Sequence, residues 1–167
     1  MMVRIVIDHR MWRAARGHLD GRAESVAFFL ADWSAPDRSF CVRDWQPIDD
    51  GTEGAGDDLH VSLSDETRLS IIRWATSQEA SLIEAHSHGR RGPAVFSPYD
   101  LSGLAEWVPH VRWRLRRRPY AAIVTTVADF DALAWVEDPQ VPCQVEGIAE
   151  SVFHPATGRT IRRYWNP

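Results

Sequence analysis

The chain has 167 residues, 44% of them hydrophobic and including eight Trp and six Phe, a composition that excludes a disordered chain and suffices for one sizeable core. Its formal charge of −4 gives no bulk attraction to nucleic acid or to an anionic membrane. Cys41 and Cys143 are too few and too far apart for a disulfide framework or a thiolate metal site, and read as two buried thiols in a reducing compartment.

Val3 to Ile7 is apolar and β-branched and predicts a short strand. Asp8 is placed to cap a helix whose apolar face carries Met11, Ala15, His18 and Leu19. Arg4, Asp8, Arg10, Arg13 and Arg16 break up any signal-peptide core, and the longest apolar run, Val26 to Ala31, is far too short to span a membrane. The expectation is a cytoplasmic protein forming one domain over residues 1–167. Glu24 to Trp33 predicts a buried strand and Phe40 to Trp45 its hairpin partner. Gln46 to Asp58, with three Gly and five acidic residues, reads as a mobile acidic loop, most acidic over Asp49 to Asp58.

Leu59 to Leu63 resumes a strand, and Ser64-Asp65-Glu66 opens a helix with Leu69, Ile72 and Ala75 on one face. Ser81 to His86 predicts a further strand, His86 to Phe96 a loop, and Ser97 to Val108 a helix with Leu101, Leu104, Ala105 and Val108 at i, i+3, i+4 and i+7. Strands follow at Tyr120 to Val127 and Ala132 to Val136, and Val145 to Phe153 with Thr160 to Tyr164 predicts a late hairpin around Ala156-Thr157-Gly158. The fold class expected from this order is α+β or mixed α/β, a curved mixed sheet flanked by two or three helices.

The chemistry concentrates at His86-Ser87-His88, Ser97 and Asp100. At a strand end, side chains two apart share a side, so the two imidazoles can face one ion. Two imidazoles and a carboxylate suit tetrahedral zinc, with a fourth position left for water. Alone, an H-x-H pair is usually incidental, and Ser97-Pro98-Tyr99-Asp100 equally describes an ordinary helix start.

Taken together, His86-Ser87-His88, a loop over Gly89 to Phe96, Ser97-Pro98-Tyr99-Asp100 and the upstream Glu24 resemble the signature of the JAB/MPN (JAMM) zinc metalloproteases, most closely the stand-alone prokaryotic JAB domains. Gly89 stands where that family usually has Pro, and the loop before Ser97 is one residue longer than usual, a change a loop absorbs at little cost. The resemblance implies a JAB/MPN-like (cytidine deaminase-like) architecture. It implies Zn²⁺ on His86, His88 and Asp100, Glu24 as general base and Ser97 as oxyanion donor. Glu84, on the same strand face as His86, is the rival base. The function implied is an isopeptidase or peptidase acting after the C-terminus of a ubiquitin-like modifier, by deconjugation or precursor processing. Its partners would be the modifier or its conjugate and E1-like and E2-like enzymes of a bacterial, in some cases antiviral, conjugation system.

Two other readings stand beside it. One is a catalytically silent MPN-type scaffold, against which the intact His86, His88, Asp100, Ser97 and Glu24 argue. The other is a nucleic-acid-binding module using Arg112 to Arg118, a stretch that otherwise reads as a solvated connection with Trp113 and Leu115 tucked inward. Cys41 and Cys143 have no Cys/His motif around them for thiol catalysis. The remaining histidines lack ligand spacing, and His18 reads as a packed core residue.

Overall fold

The computed structural model describes residues 2–20, 24–49, 52–53, 60–61, 63–89 and 92–165. Most of the acidic segment Asp49 to Asp58 lies outside them.

Seven strands form the body: β1 (Val3–Val6), β2 (Val26–Ser34), β3 (Ser39–Ile48), β6 (Ser81–Ser87), β7 (Tyr120–Thr125), β8 (Phe130–Trp135) and β9 (Cys143–Ala149). They are hydrogen-bonded in the order β1-β3-β2-β6-β7-β8-β9, and β9 then pairs with β1. The sheet therefore closes on itself, with β10 (Phe153–Pro155) added antiparallel to β9 and a separate small ladder of β4 (Thr52–Glu53) with β5 (His60–Val61). This corrects the expected curved sheet flanked by helices and the JAB/MPN-like (cytidine deaminase-like) architecture. The described residues form a closed seven-stranded barrel with four helices. The closing pairs, Arg4 with Gly147 and Ile5 with Ile148, are parallel and join opposite ends of the chain.

Two apolar clusters follow from strand alternation. One fills the barrel and takes side chains from all seven strands, among them Ile5, Phe29, Phe40, Ile83, Ile123 and Ile148. Six of its strand residues are alanines (Ala27, Ala31, Ala85, Ala121, Ala132 and Ala134), and the room they leave is taken by α1 (His9–Leu19). Trp12 of α1 lies 6.4 Å from Phe29 and 6.3 Å from Phe130 between ring centres, an edge-on arrangement for the second pair. Asp8 caps α1 by accepting from the N–H groups of Arg10 and Met11.

The second cluster lies on the outer face of β2, β6, β7 and β8, under α2 (Asp65–Ser77), α3 (Pro98–Arg114) and α4 (Arg159–Tyr164). β7 and β8, covered on both faces, are buried along their whole length. Ser64 caps α2 through the N–H of Thr67. α3 runs past Val108, through Pro109, to Arg114. A proline inside a helix costs about 3 kcal/mol; burial of Val108, Val111 and Leu115 beneath it offsets that cost.

The basic stretch is turned the opposite way at two positions. Trp113 is 73% exposed, and Arg112 is the buried residue, donating to the carbonyls of Arg117, Arg118 and Val136. A guanidinium with five donors can satisfy several carbonyls at the end of a helix where an indole cannot. Cys41 and Cys143 are free and half-buried. His18 is partly buried, its Nε2 2.9 Å from the carbonyl of Val26. Among the described residues no helix is long and apolar enough to cross a membrane.

The expected late hairpin is also corrected, since Arg159–Tyr164 is helical. Gly158 turns the chain at φ +64°, and the buried Asp131 takes over the capping from another element. Its carboxylate accepts from the N–H groups of Gly158 (2.8 Å), Thr160 (2.7 Å) and Ala132 (3.0 Å). Asp131→Ala strips three buried donors of their acceptor and should cost about 3 kcal/mol or more. The measure is a lower urea midpoint at unchanged m-value; a midpoint equal to the parent's would mean that Asp131 does not hold α4.

Candidate metal centre

β6 places Glu84 and His86 on the outer face of the barrel, beside β7 and beneath α2 and α3. His88 continues the same alternation just past the strand, because its N–H donates to the Thr125 carbonyl (3.0 Å) and keeps the chain against β7. Asp100 arrives from the first turn of α3. Ser97 and Asp100 cap each other: the Asp100 N–H donates to Ser97 Oγ (3.1 Å), and the Ser97 N–H donates to Asp100 Oδ2 (2.7 Å). The helix start that stabilises α3 thus also fixes the carboxylate.

The three predicted ligands come together. His86 Nε2 and His88 Nε2 are 3.2 Å apart, His88 Nε2 is 3.1 Å from Asp100 Oδ2, and His86 Nε2 is 3.5 Å from Asp100 Oδ1. Ligand atoms about 2.0–2.1 Å from a tetrahedral zinc are about 3.3 Å apart along each edge. The donor set and its spacing therefore fit a zinc ion, and among the described residues this is the one group of three such side chains within 4.8 Å of one another. All three side chains are between 15% and 18% exposed, so a path to solvent remains.

Two imidazole nitrogens facing each other beside one carboxylate offer more acceptors than donors, a shortfall that a proton or a metal ion makes good. Burial by itself would raise the Asp100 carboxyl, but hydrogen bonds from His86 and His88 hold it well below the usual carboxylate range. Burial by itself would lower the His86 imidazole; the hydrogen bond and charge of Asp100, aided by Glu84 and Glu24, raise it instead.

Glu24, His86 and Asp100 line one cavity of about 360 Å³. Val26 of β2 pairs with His86 of β6, so Glu24 enters two residues earlier on the neighbouring strand, level with His88. Ser97 is one step removed, tied to Asp100 and outside the cavity lining. As an acceptor in that bond its hydroxyl keeps a proton to donate.

Around Glu84, the rival base, stand groups that sequence reasoning did not assign: Arg68 and Trp107 in the cavity lining, and Tyr120 behind it. Glu84 accepts from the Tyr120 hydroxyl, which in turn accepts from Trp107 Nε1 (2.8 Å). Burial pushes the Glu84 carboxyl up against the opposing pull of Tyr120 and His86. Arg68 of α2 also lines the cavity, its guanidinium 5.7 Å from the centre of the Trp107 ring. For Trp107 a signal existed, since it lies seven residues after Asp100 on one helix face; the Tyr120 contact depends on a strand pairing that sequence does not announce.

No family model matches the chain, and no curated protein matches it. Among solved structures it is similar to the solution structure of a protein from Desulfitobacterium hafniense that carries no activity in its name. The two share 12% identity, with a TM-score of 0.57 over 87% of this chain and 92% of the other. At that identity the likeness concerns the fold alone.

Two variants test the geometry. His88→Ala removes one of three protein ligands and should abolish metal retention, read by elemental analysis after purification without chelator; a variant that holds as much metal as the parent would exclude His88 as a ligand. Ser97→Ala should lower stability by about 1 kcal/mol through loss of the cap, measured by denaturant unfolding, while metal is retained.

Proposed function

We propose that the protein is a zinc-dependent hydrolase that cleaves the isopeptide or peptide bond following the C-terminus of a ubiquitin-like modifier. The observation that carries this reading is the convergence of His86, His88 and Asp100 at tetrahedral spacing beside a cavity that also takes in Glu24. The barrel departs from the architecture that the sequence resemblance implies, so support comes from the site and its motif and not from the fold.

Zinc bound by these three residues would supply Lewis acidity and a water acidified at neutral pH. The Glu24 carboxylate takes a proton from the attacking water and passes it to the leaving nitrogen, which departs as a neutral amine. The Ser97 hydroxyl donates to the oxygen on which negative charge develops. Glu84 is held by Tyr120 and Trp107 at the cavity wall, an arrangement that fixes it and occupies one of its oxygens. No step needs a thiolate, and the Cys143 thiol, pushed up by burial, is a poor nucleophile. Two free thiols accord with a reducing cytoplasm. The partners this reading assigns are the modifier or its conjugate and E1-like and E2-like enzymes of the same system.

Glu24→Ala should keep its zinc and lose about 10²–10⁴-fold in turnover of a modifier–lysine isopeptide. Cys41→Ser and Cys143→Ser should turn over at the parental rate. Full activity in Glu24→Ala would transfer the role of base to Glu84, and absence of hydrolysis from the zinc-loaded parent across modifier conjugates and precursors would remove the enzyme reading.

A further inference from the structure

Asp100 meets the imidazoles only if the segment leading into α3 arrives at a fixed place. Residues 92–97 belong to no strand, so their backbone groups must find partners elsewhere. They find them in the turn between β7 and β8 and at the start of α4. The Ala94 N–H donates to Asp129 Oδ1 (2.7 Å), and the Phe96 N–H donates to Thr160 Oγ1 (3.1 Å). Ala94, Phe96 and Thr160 are all fully buried.

Both acceptors are themselves held. The Thr160 N–H donates to Asp131 Oδ2 (2.7 Å), and the second oxygen of Asp129 accepts from Arg159 (2.6 Å). On the other side, Phe96 is next to Ser97, whose N–H fixes the Asp100 carboxylate, and the Phe96 ring meets the His86 ring edge-on at 5.7 Å between centres. Phe96 thus bears on two of the three candidate ligands, on Asp100 through Ser97 and on His86 through its ring.

We propose that Thr160, seconded by Asp129, is a positioning residue for the metal centre, so that α4 sets the metal affinity although it supplies no ligand. The proposal rests on the reading of His86, His88 and Asp100 as a zinc site. Thr160 acts through Phe96 and Ser97 on Asp100 and touches neither metal nor substrate. Thr160→Val keeps the shape and removes the acceptor of the Phe96 N–H; Thr160→Ser keeps the acceptor.

The test is zinc affinity of the metal-free full chain, by competition with a chromophoric chelator well below the thermal midpoint, with the midpoint measured in parallel. Outer-shell partners of metal ligands typically contribute about 10–100-fold in affinity, and the expected loss in Thr160→Val is about 10-fold. Thr160→Ser should bind zinc within about twofold of the parent. Thr160→Val with a lowered midpoint and parental zinc affinity would overturn the proposal, since a purely structural role predicts that pattern. If Thr160→Val does not fold, Asp129→Ala decides through Ala94, with the same expected loss and the same contrary result. A parent chain that binds no zinc would sink the metal reading and this proposal together, an outcome distinct from the failure of the variants alone.

Discussion

The parallel pairing of β1 with β9 joins residues 3–6 to residues 145–149 and leaves neither strand as a free edge of the barrel. Most other features follow from that closure. A closed sheet has an inside, and the inside must be filled. Alanines on β2, β6, β7 and β8 make room there for Trp12, Ala15 and Leu19 of α1. The outside of those same strands must be covered as well, and α2, α3 and α4 do so. The candidate site lies where this cover stops, at the end of β6 and the first turn of α3.

At that point local folding and site chemistry use the same atoms. Asp100 Oδ2 accepts the Ser97 N–H as part of a helix cap and also faces His88. The reciprocal cap at Ser97 uses an acid three residues into the turn, and a metal site requires a carboxylate that does not move. One arrangement meets both requirements. The same economy holds for Asp131, which anchors α4 and through it the segment before α3.

Features governed by near neighbours were legible in the sequence. The caps at Asp8, Ser64 and Ser97 are short-range hydrogen bonds between residues a few positions apart, and each occurs where the residue types indicated. The meeting of His86 and His88 was legible from strand alternation, and that of Asp100 was expected from the resemblance of its motif. Barrel closure was not, because an apolar strand such as Val3–Val6 carries no mark of which distant edge it will join. Over Thr160 to Tyr164 the local pattern predicts a strand, and the helix forms instead with its cap supplied by Asp131, outside the local segment. Arg112 is buried where Trp113 is expected because the carbonyls of Arg117 and Arg118, in the turn after α3, and of Val136, just past β8, take its hydrogen bonds, a demand visible only once the chain is folded. Glu24 fell beside the ligand strand through the pairing of β2 with β6, which the apolar pattern allowed but did not specify.

The central claim is that His86, His88 and Asp100 hold a zinc ion with one position open. X-ray absorption at the zinc edge of the loaded protein reads that shell directly. The account requires four nitrogen or oxygen neighbours at about 2.0–2.1 Å, with the scattering signature of two imidazoles. A sulfur neighbour near about 2.3 Å, or a shell without imidazole, would contradict it.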